Sequence, residues 1–281
     1  QAKNADSYFY KPRPTVNTRA PYLDVPITNA GINPFPGVGF KYFVKQIEEK
    51  DSLHVKVEVM DASGKILRTL TSDTEKAWNK IEMKEGMNIA KWDLRLGNIE
   101  PAEGVFVPSF GNTGMQGYHI GPGRYSAKIT IGDFSQIQDF EILKDPRDKV
   151  SDSDIADQEA LKKTIYKNLE ELYESLKQLQ DVRKQVGQMM EREEGDEEIK
   201  EMGDGIKNKV GEIEKELISP SQETFQDIIN FRNKLDIQLY QLMQTIDGSI
   251  PPLTNGEKGL YNDLKEEWET QRNGVQKILQ V

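Results

Sequence analysis

Two histidines, His54 and His119, are the only imidazoles in the 281-residue chain, and cysteine is absent altogether. Imidazole and thiolate are the usual zinc ligands and the usual activators of nucleophiles, so few residues remain for such chemistry. His54 sits in the run LHVKVEV, where polar residues alternate with apolar ones, and is expected to face solvent. His119 lies in a glycine-rich stretch, without a second histidine or a carboxylate at metal-ligand spacing. No G-x-S-x-G elbow, H-E-x-x-H pair, P-loop or G-x-G-x-x-G turn is present. Asp152, Asp154 and Asp157 resemble the opening of a calcium loop, but the glycine and the closing glutamate are misplaced. They read instead as the acidic first turn of a helix, where the helix dipole favours negative charge. The expectation is a chain without catalytic, metal or cofactor residues.

The one stretch suited to recognition is Gly104–Gly123, GVFVPSFGNTGMQGYHIGPG. Phe106, Phe110, Tyr118 and His119 stand there among glycines, and exposed rings on such a loop can stack on a sugar or on a partner's side chains. The alternative, which we favour, is that Phe106 and Phe110 fill a core or dock against another domain.

The elements that must hold this loop follow from periodicity. Residues 1–37 carry Pro12, Pro14, Pro21, Pro26, Pro34 and Pro36 and read as an extended leader, with Tyr8, Phe9, Tyr10 and Tyr22 pinning it down. From Val38 the period is two: Val38–Val44, then Leu53–Val59, the turn Asp61–Gly64 and the return Lys65–Leu70. Further strands follow at Gly86–Leu96 (Ile89, Trp92, Leu94), Arg124–Ile131 and Gln138–Leu143. Short strands joined by turns, without helices between them, imply an antiparallel β-sandwich over 38–147.

After Asp145-Pro146-Arg147 the period becomes 3.6. Leu161 through Met189 form one stripe and Ile199 through Leu217 a second, the latter weakened by Gly203, Gly205 and Gly211. A third helix is expected from the capping sequence Ser219-Pro220-Ser221-Gln222, with Phe225, Ile228, Ile229, Leu235, Leu239, Leu242 and Ile246 on its stripe. A fourth follows the capping box Thr254–Glu257, with Leu260, Leu264, Trp268, Val275 and Leu279. Residues 148–281 thus read as an antiparallel bundle of four helices, or of three if the glycine-rich second segment is irregular. The fold class is α+β multidomain: an immunoglobulin- or fibronectin-like sandwich followed by a helical bundle.

Charge supports the division. Residues 1–150 carry 20 Lys+Arg and 19 Asp+Glu, a net of +1, whereas the remaining residues carry 17 and 28, a net of −11. An acidic chain lacks the basic face that phosphate binding requires, so nucleic acid is not an expected partner. No apolar run is long enough for membrane insertion. The opening QAKNADSYFYKPRP has no signal-peptide core, which leaves a cytosolic protein, a mature exported one and a fragment all open.

Four segments together resemble a known family: NPFPGVGFKYFV, VKVEVMDASGKILRTL, GMNIAKWDLRL and GPGRYSAKITIGDFSQIQDFEILKDPR. They look like the C-terminal region of large exported bacterial proteins, in which a β-propeller of sortilin-like or neuraminidase-type repeats precedes such a sandwich. The sandwich is also similar to the immunoglobulin-like domain of flagellar hook-capping proteins. The carrying features are the Asp61–Lys65 hairpin, Trp92-Asp93, Gly121–Tyr125 and the exit Lys144–Arg147, and the likeness covers about residues 30 to 190. The resemblance implies a periplasmic, cell-surface or secreted protein and a partner that is an upstream propeller domain or another envelope protein. Glycosidase labels in that family rest on the propeller, and this chain has no S-x-D-x-G-x-T-W box to which catalysis could be transferred. The expected role is therefore non-catalytic domain docking or protein–protein contact, the alternative being a carbohydrate-binding accessory module acting through the Gly104–Gly123 aromatics.

Overall fold

The period-two segments become strands and the 3.6-period segments become helices in a computed structural model that describes residues 6–18, 35–46, 53–107, 114–219, 221–224 and 226–280. The chain separates into two compact units, Gln1–Gly97 with His119–Ser151 and Asn98–Tyr118 with Asp152–Val281. Strands make up the first and helices the second.

The strand unit holds two sheets. One has the order β1–β3–β6, from Ser7–Phe9, Val38–Val44 and Gly86–Trp92, all antiparallel. The other has the order β2–β8–β7–β4–β5, from Thr15–Asn17, Phe134–Lys144, Gly123–Ile131, Val55–Met60 and Ile66–Thr71. It is antiparallel except where β2 runs parallel to β8. Their inner faces share one aromatic core. The Phe40 ring meets Phe140 edge-on at 5.5 Å, and Trp92 and Phe9 lie 6.2 Å from Phe140 and Phe40 respectively.

Two strands fall inside the expected leader. Phe9 is fully buried, its N–H donates to Gln136 Oε1 at 3.0 Å, and its carbonyl accepts from Gln136 Nε2 and Gln138 Nε2 at 3.1 Å each. The prolines that suggested an unpaired segment, Pro12 and Pro14, lie between β1 and β2, where no ladder donor is needed. The expected hairpin turn is closed by Asp61, whose Oδ1 accepts from the Ser63 N–H at 2.9 Å and the Lys65 N–H at 3.0 Å. Hydrogen bonds to the ionised form, the Ser63 hydroxyl first, hold this carboxyl below its usual range.

In the helical unit, α1 (Asp152–Arg192), α2 (Glu197–Leu217), α4 (Leu235–Gly248) and α5 (Asn255–Leu279) pack on one another, and α3 (Asp227–Asn230) is a single turn. The expected third helix does not start at Ser219. The Asp227 carboxylate accepts from the Glu223 and Thr224 N–H groups at 3.0 and 2.7 Å, a local arrangement that competes with helix. Ile229 is 84% exposed, and the helix begins at Leu235. Pro220 and Phe225 lie outside the described residues. The capping box at Thr254 and Glu257 forms as expected. Gly203 stands in α2 against its helix propensity and in close packing, since a Cβ there would lie 2.5 Å from Met190 Sδ.

Two glycines respond oppositely to the same change. A Cβ on Gly37 would lie 2.1 Å from the Trp92 carbonyl oxygen, which belongs to the backbone of β6 and cannot swing away. A Cβ on Gly205, within α2, meets nothing within 4 Å. Gly37→Ala is expected to destabilise the strand unit by about 1–3 kcal/mol. Gly205→Ala should stabilise the helical unit by about 1 kcal/mol. Urea unfolding followed by near-UV and far-UV circular dichroism checks both signs.

Candidate functional site

The glycine- and aromatic-rich loop goes where its apolar residues can be covered. The chain leaves the strand unit after Gly97 and re-enters it at His119. Arg95 and His119 pair across this neck, and the Ile120 N–H donates to the Leu94 carbonyl at 2.7 Å. Residues 98–118 count with the helices. Ile99, Ala102, Met115 and Tyr118 are buried there, and the Ile99 N–H donates to the Met115 carbonyl at 2.9 Å. Lys177 Nζ and Gln180 Nε2, both on α1, donate to the Glu100 and Glu103 carbonyls at 3.3 and 2.9 Å. On α4, Tyr240 Oη accepts from the Gln116 N–H at 3.1 Å, and Gln244 Nε2 donates to the Gln116 carbonyl at 3.2 Å.

These contacts change the standing of the four loop candidates. Tyr118 is 6% exposed and meets Tyr166 edge-on at 5.8 Å, so its ring is a packing element and not a platform for a sugar. Phe106 and His119 are half-buried, and Phe110 lies outside the described residues. His54 is exposed, as its alternation implies. The loop aromatics are thus not gathered into an open recognition surface among the described residues.

Beneath Tyr118 lies a group of buried polar side chains that periodicity does not reveal. Lys162, 3% exposed, places Nζ 2.5 Å from Glu159 Oε1 and 3.1 Å from Asp247 Oδ1, and 5.2 Å from the centre of the Tyr118 ring. Gln158, one turn earlier on α1, donates to the Ile246 and Ser249 carbonyls at 3.0 and 3.1 Å, satisfying acceptors at the end of α4. At the other end of α4, Asp236 is buried with Tyr173. Tyr173 Oη donates to Asp236 Oδ2 at 3.2 Å, and the Ile237 N–H donates to Oδ1 at 2.6 Å. Burial pushes the Asp236 carboxyl up to about 7, against the opposing pull of those two donors. The Tyr173 hydroxyl is held well above the ordinary phenol value, by burial first and then by the Asp236 charge. Lys162 and Asp236 thus have partners within the helical unit. Among the described residues no three His, Asp or Glu side chains are grouped to hold a metal, and no helix is long and apolar enough to cross a membrane.

The strand unit presents a different surface. Because side chains alternate along a strand, burying Phe40, Tyr42 and Val44 of β3 turns Lys41 and Phe43 outward. On β6 the buried Asn88, Ala90 and Trp92 turn Met87, Ile89 and Lys91 outward. Ile89 and Trp92 both belong to this strand. Their spacing is odd, so they point to opposite sides, and Ile89 is 50% exposed. Register then aligns Tyr8, Phe43 and Met87 in one row across β1, β3 and β6, with Lys41 opposite Ile89 in the next accessible row. Tyr10 meets Tyr8 edge-on at 4.9 Å. The Ile89 side chain lies over Gly39, where a Cβ would come within 2.8 Å of Ile89 Cδ1. This aromatic and apolar outer face was legible in principle, since Phe43 interrupts the otherwise small or polar alternate positions of VGFKYFV.

An open groove of about 540 Å³ also indents the strand unit, floored by β7 and β8 around Arg124, Ser126, Asp139 and Glu141 and flanked by Lys11–Pro14 and the Asp61–Gly64 turn. Comparison with known proteins gives no match to any family model, curated protein or solved structure.

Two outcomes test the buried polar groups. Asp236 has a folded pKa above its unfolded value of 3.8, so the native state binds the extra proton between about pH 4 and 7. Its stabilising effect is complete below that window and is lost as pH rises through 7. Asp236→Asn removes this dependence, so the variant should gain about 2–4 kcal/mol on the wild type between pH 4 and pH 8, measured by urea unfolding at each pH. Lys162→Met leaves Asp247 and Glu159 without their cation and should destabilise by about 3–5 kcal/mol, part of which Asp247→Asn in the same chain restores.

Proposed function

We propose that this chain is a non-catalytic interaction and architectural module whose recognition surface is the outer face of the β1–β3–β6 sheet. In this reading the strand unit is an immunoglobulin-like sandwich and the helical unit an antiparallel bundle, from the C-terminal part of a larger exported protein. The observation that carries the proposal is the row Tyr8–Phe43–Met87 with Ile89 beside it: Met87 and Ile89 are each about half exposed, and two rings flank them. A contiguous apolar patch on a sheet face is a docking feature more often than a solvated one. The immunoglobulin-like reading draws on the Tyr125 hydroxyl, which donates to the Gly121 carbonyl at 2.8 Å, four residues upstream, in the manner of a tyrosine corner. Trp92, fully buried among Phe40 and Phe140, is the core tryptophan such a domain uses.

The partner we favour is an upstream β-propeller domain or another envelope protein. A second reading, glycan binding, is supported by Tyr8, Tyr10 and Phe43, whose rings lie on that same face and offer stacking surface.

Cross-linking mass spectrometry in the native cell envelope, with a photoreactive residue at position 87, tests the first reading. Cross-links to a propeller domain or to one defined protein are expected, reduced by about tenfold in Phe43→Asp if the patch supplies a central anchor. Cross-links confined to this chain, with polysaccharide co-purifying, would transfer the assignment to glycan binding. A position-87 probe that links to nothing would end both.

A further inference from the structure

The two sheets of the strand unit differ in the charge they show outward, and the difference specifies a partner. On the five-stranded sheet both signs are interleaved: Lys56 pairs with Glu58 at 3.1 Å, and Arg124 stands opposite Glu141 in register. On the three-stranded sheet the outward positions of β3 and β6 are apolar, glycine or lysine, with no carboxylate. Lys41 and Lys91 are exposed there and make no ion pair among the described residues, while Lys91 Nζ lies 5.5 Å over the Phe35 ring. Lys45, at the end of the same face, is neutralised by Asp6 at 2.9 Å.

From this we infer that the outer face of the β1–β3–β6 sheet receives, rather than a propeller domain, an amphipathic helix of another protein whose apolar stripe is flanked by aspartate and glutamate. The inference rests on reading that face as an interaction surface and adds the chemistry of its occupant. Covering Met87 and Ile89 draws Lys41 and Lys91 toward the contact, and an ammonium taken from water without a counter-charge is strongly unfavourable. A carboxylate on each flank of the incoming stripe meets both lysines, whereas a basic or neutral occupant leaves them unpaired. The width also fits: three strands at about 4.8 Å spacing span roughly the 10 Å diameter of one helix.

The test uses the full chain and two synthetic helical peptides that share a leucine stripe, one flanked by glutamate and the other by lysine, with affinity read by fluorescence anisotropy. The glutamate peptide should bind at least about tenfold more tightly at low salt and lose that advantage in high salt. Lys41→Glu with Lys91→Glu should reverse the preference, and Ile89→Ser should weaken both peptides. Both lysines are exposed, so an unchanged thermal melt serves as the control for folding. Equal affinity for the two peptides, binding of neither, or indifference to the lysine exchange overturns the inference. Those results leave the position-87 cross-linking outcome untouched, which separates an error in partner chemistry from an error in the choice of surface. Light scattering that shows a concentration-dependent dimer, lost in the lysine double variant, would make the occupant a second copy of this chain and overturn the assignment to another protein.

Discussion

Everything in the strand unit depends on the period of two along β3 and β6. Each aromatic or aliphatic residue sent inward fixes its neighbour outward, because a strand cannot place adjacent side chains on one face. Phe40, Tyr42 and Val44 cannot build the core without Lys41 and Phe43 facing out, and Trp92 cannot be buried without Lys91 being exposed. The proposed recognition surface is therefore the obligatory reverse side of the core. Its composition is not obligatory: the same pleat on β4, β7 and β8 turns out charges of both signs together with the exposed Ile137 and Leu143. What sets the three-stranded sheet apart is that lysine is the only charge among the outward residues of β3 and β6.

The helical unit meets a different constraint. Its stripes bury the expected leucines of α1 from Leu169 to Leu179, but at the α1–α4 contact the inward positions include Gln158, Lys162, Asp236 and Asp247. Burying such groups is tolerable only when each finds a partner, and each of the four does. The segment 98–118 completes this arrangement by placing Tyr118 over Lys162 and Gln116 against Tyr240. One aromatic residue of the candidate loop, Tyr118, thus covers a polar helix contact.

Much of the architecture was legible from residues alone. The strands at Val38, Val55, Ile66, Gly86 and Gly123, the long first helix and the Thr254 capping box all follow from period and capping chemistry. The third helix did not follow. Ser219-Pro220 is a good start signal, but Asp227 folds its own neighbourhood into turns and Ile229 stays exposed. The leader was half legible: its prolines rule out helix, yet the pairing of Thr15–Asn17 with the end of β8 depends on a strand more than 100 residues away. The burial of Tyr118 was not legible for a similar reason, since exposure of an aromatic ring is a property of what lies over it.

The sequence by itself determined the two periodicities, the acid excess of the second half, the scarcity of histidine and cysteine, and the turns whose capping residues lie within a few positions of one another. These are local quantities, set by neighbours along the chain. Tertiary structure decided which side of β6 carries Ile89, where Tyr118 is buried, which carboxylate neutralises Lys162, and that Tyr8, Phe43 and Met87 form one row. Those depend on register and on contacts between residues far apart in the chain, where the free energy of burial and ion pairing is fixed by distance in space.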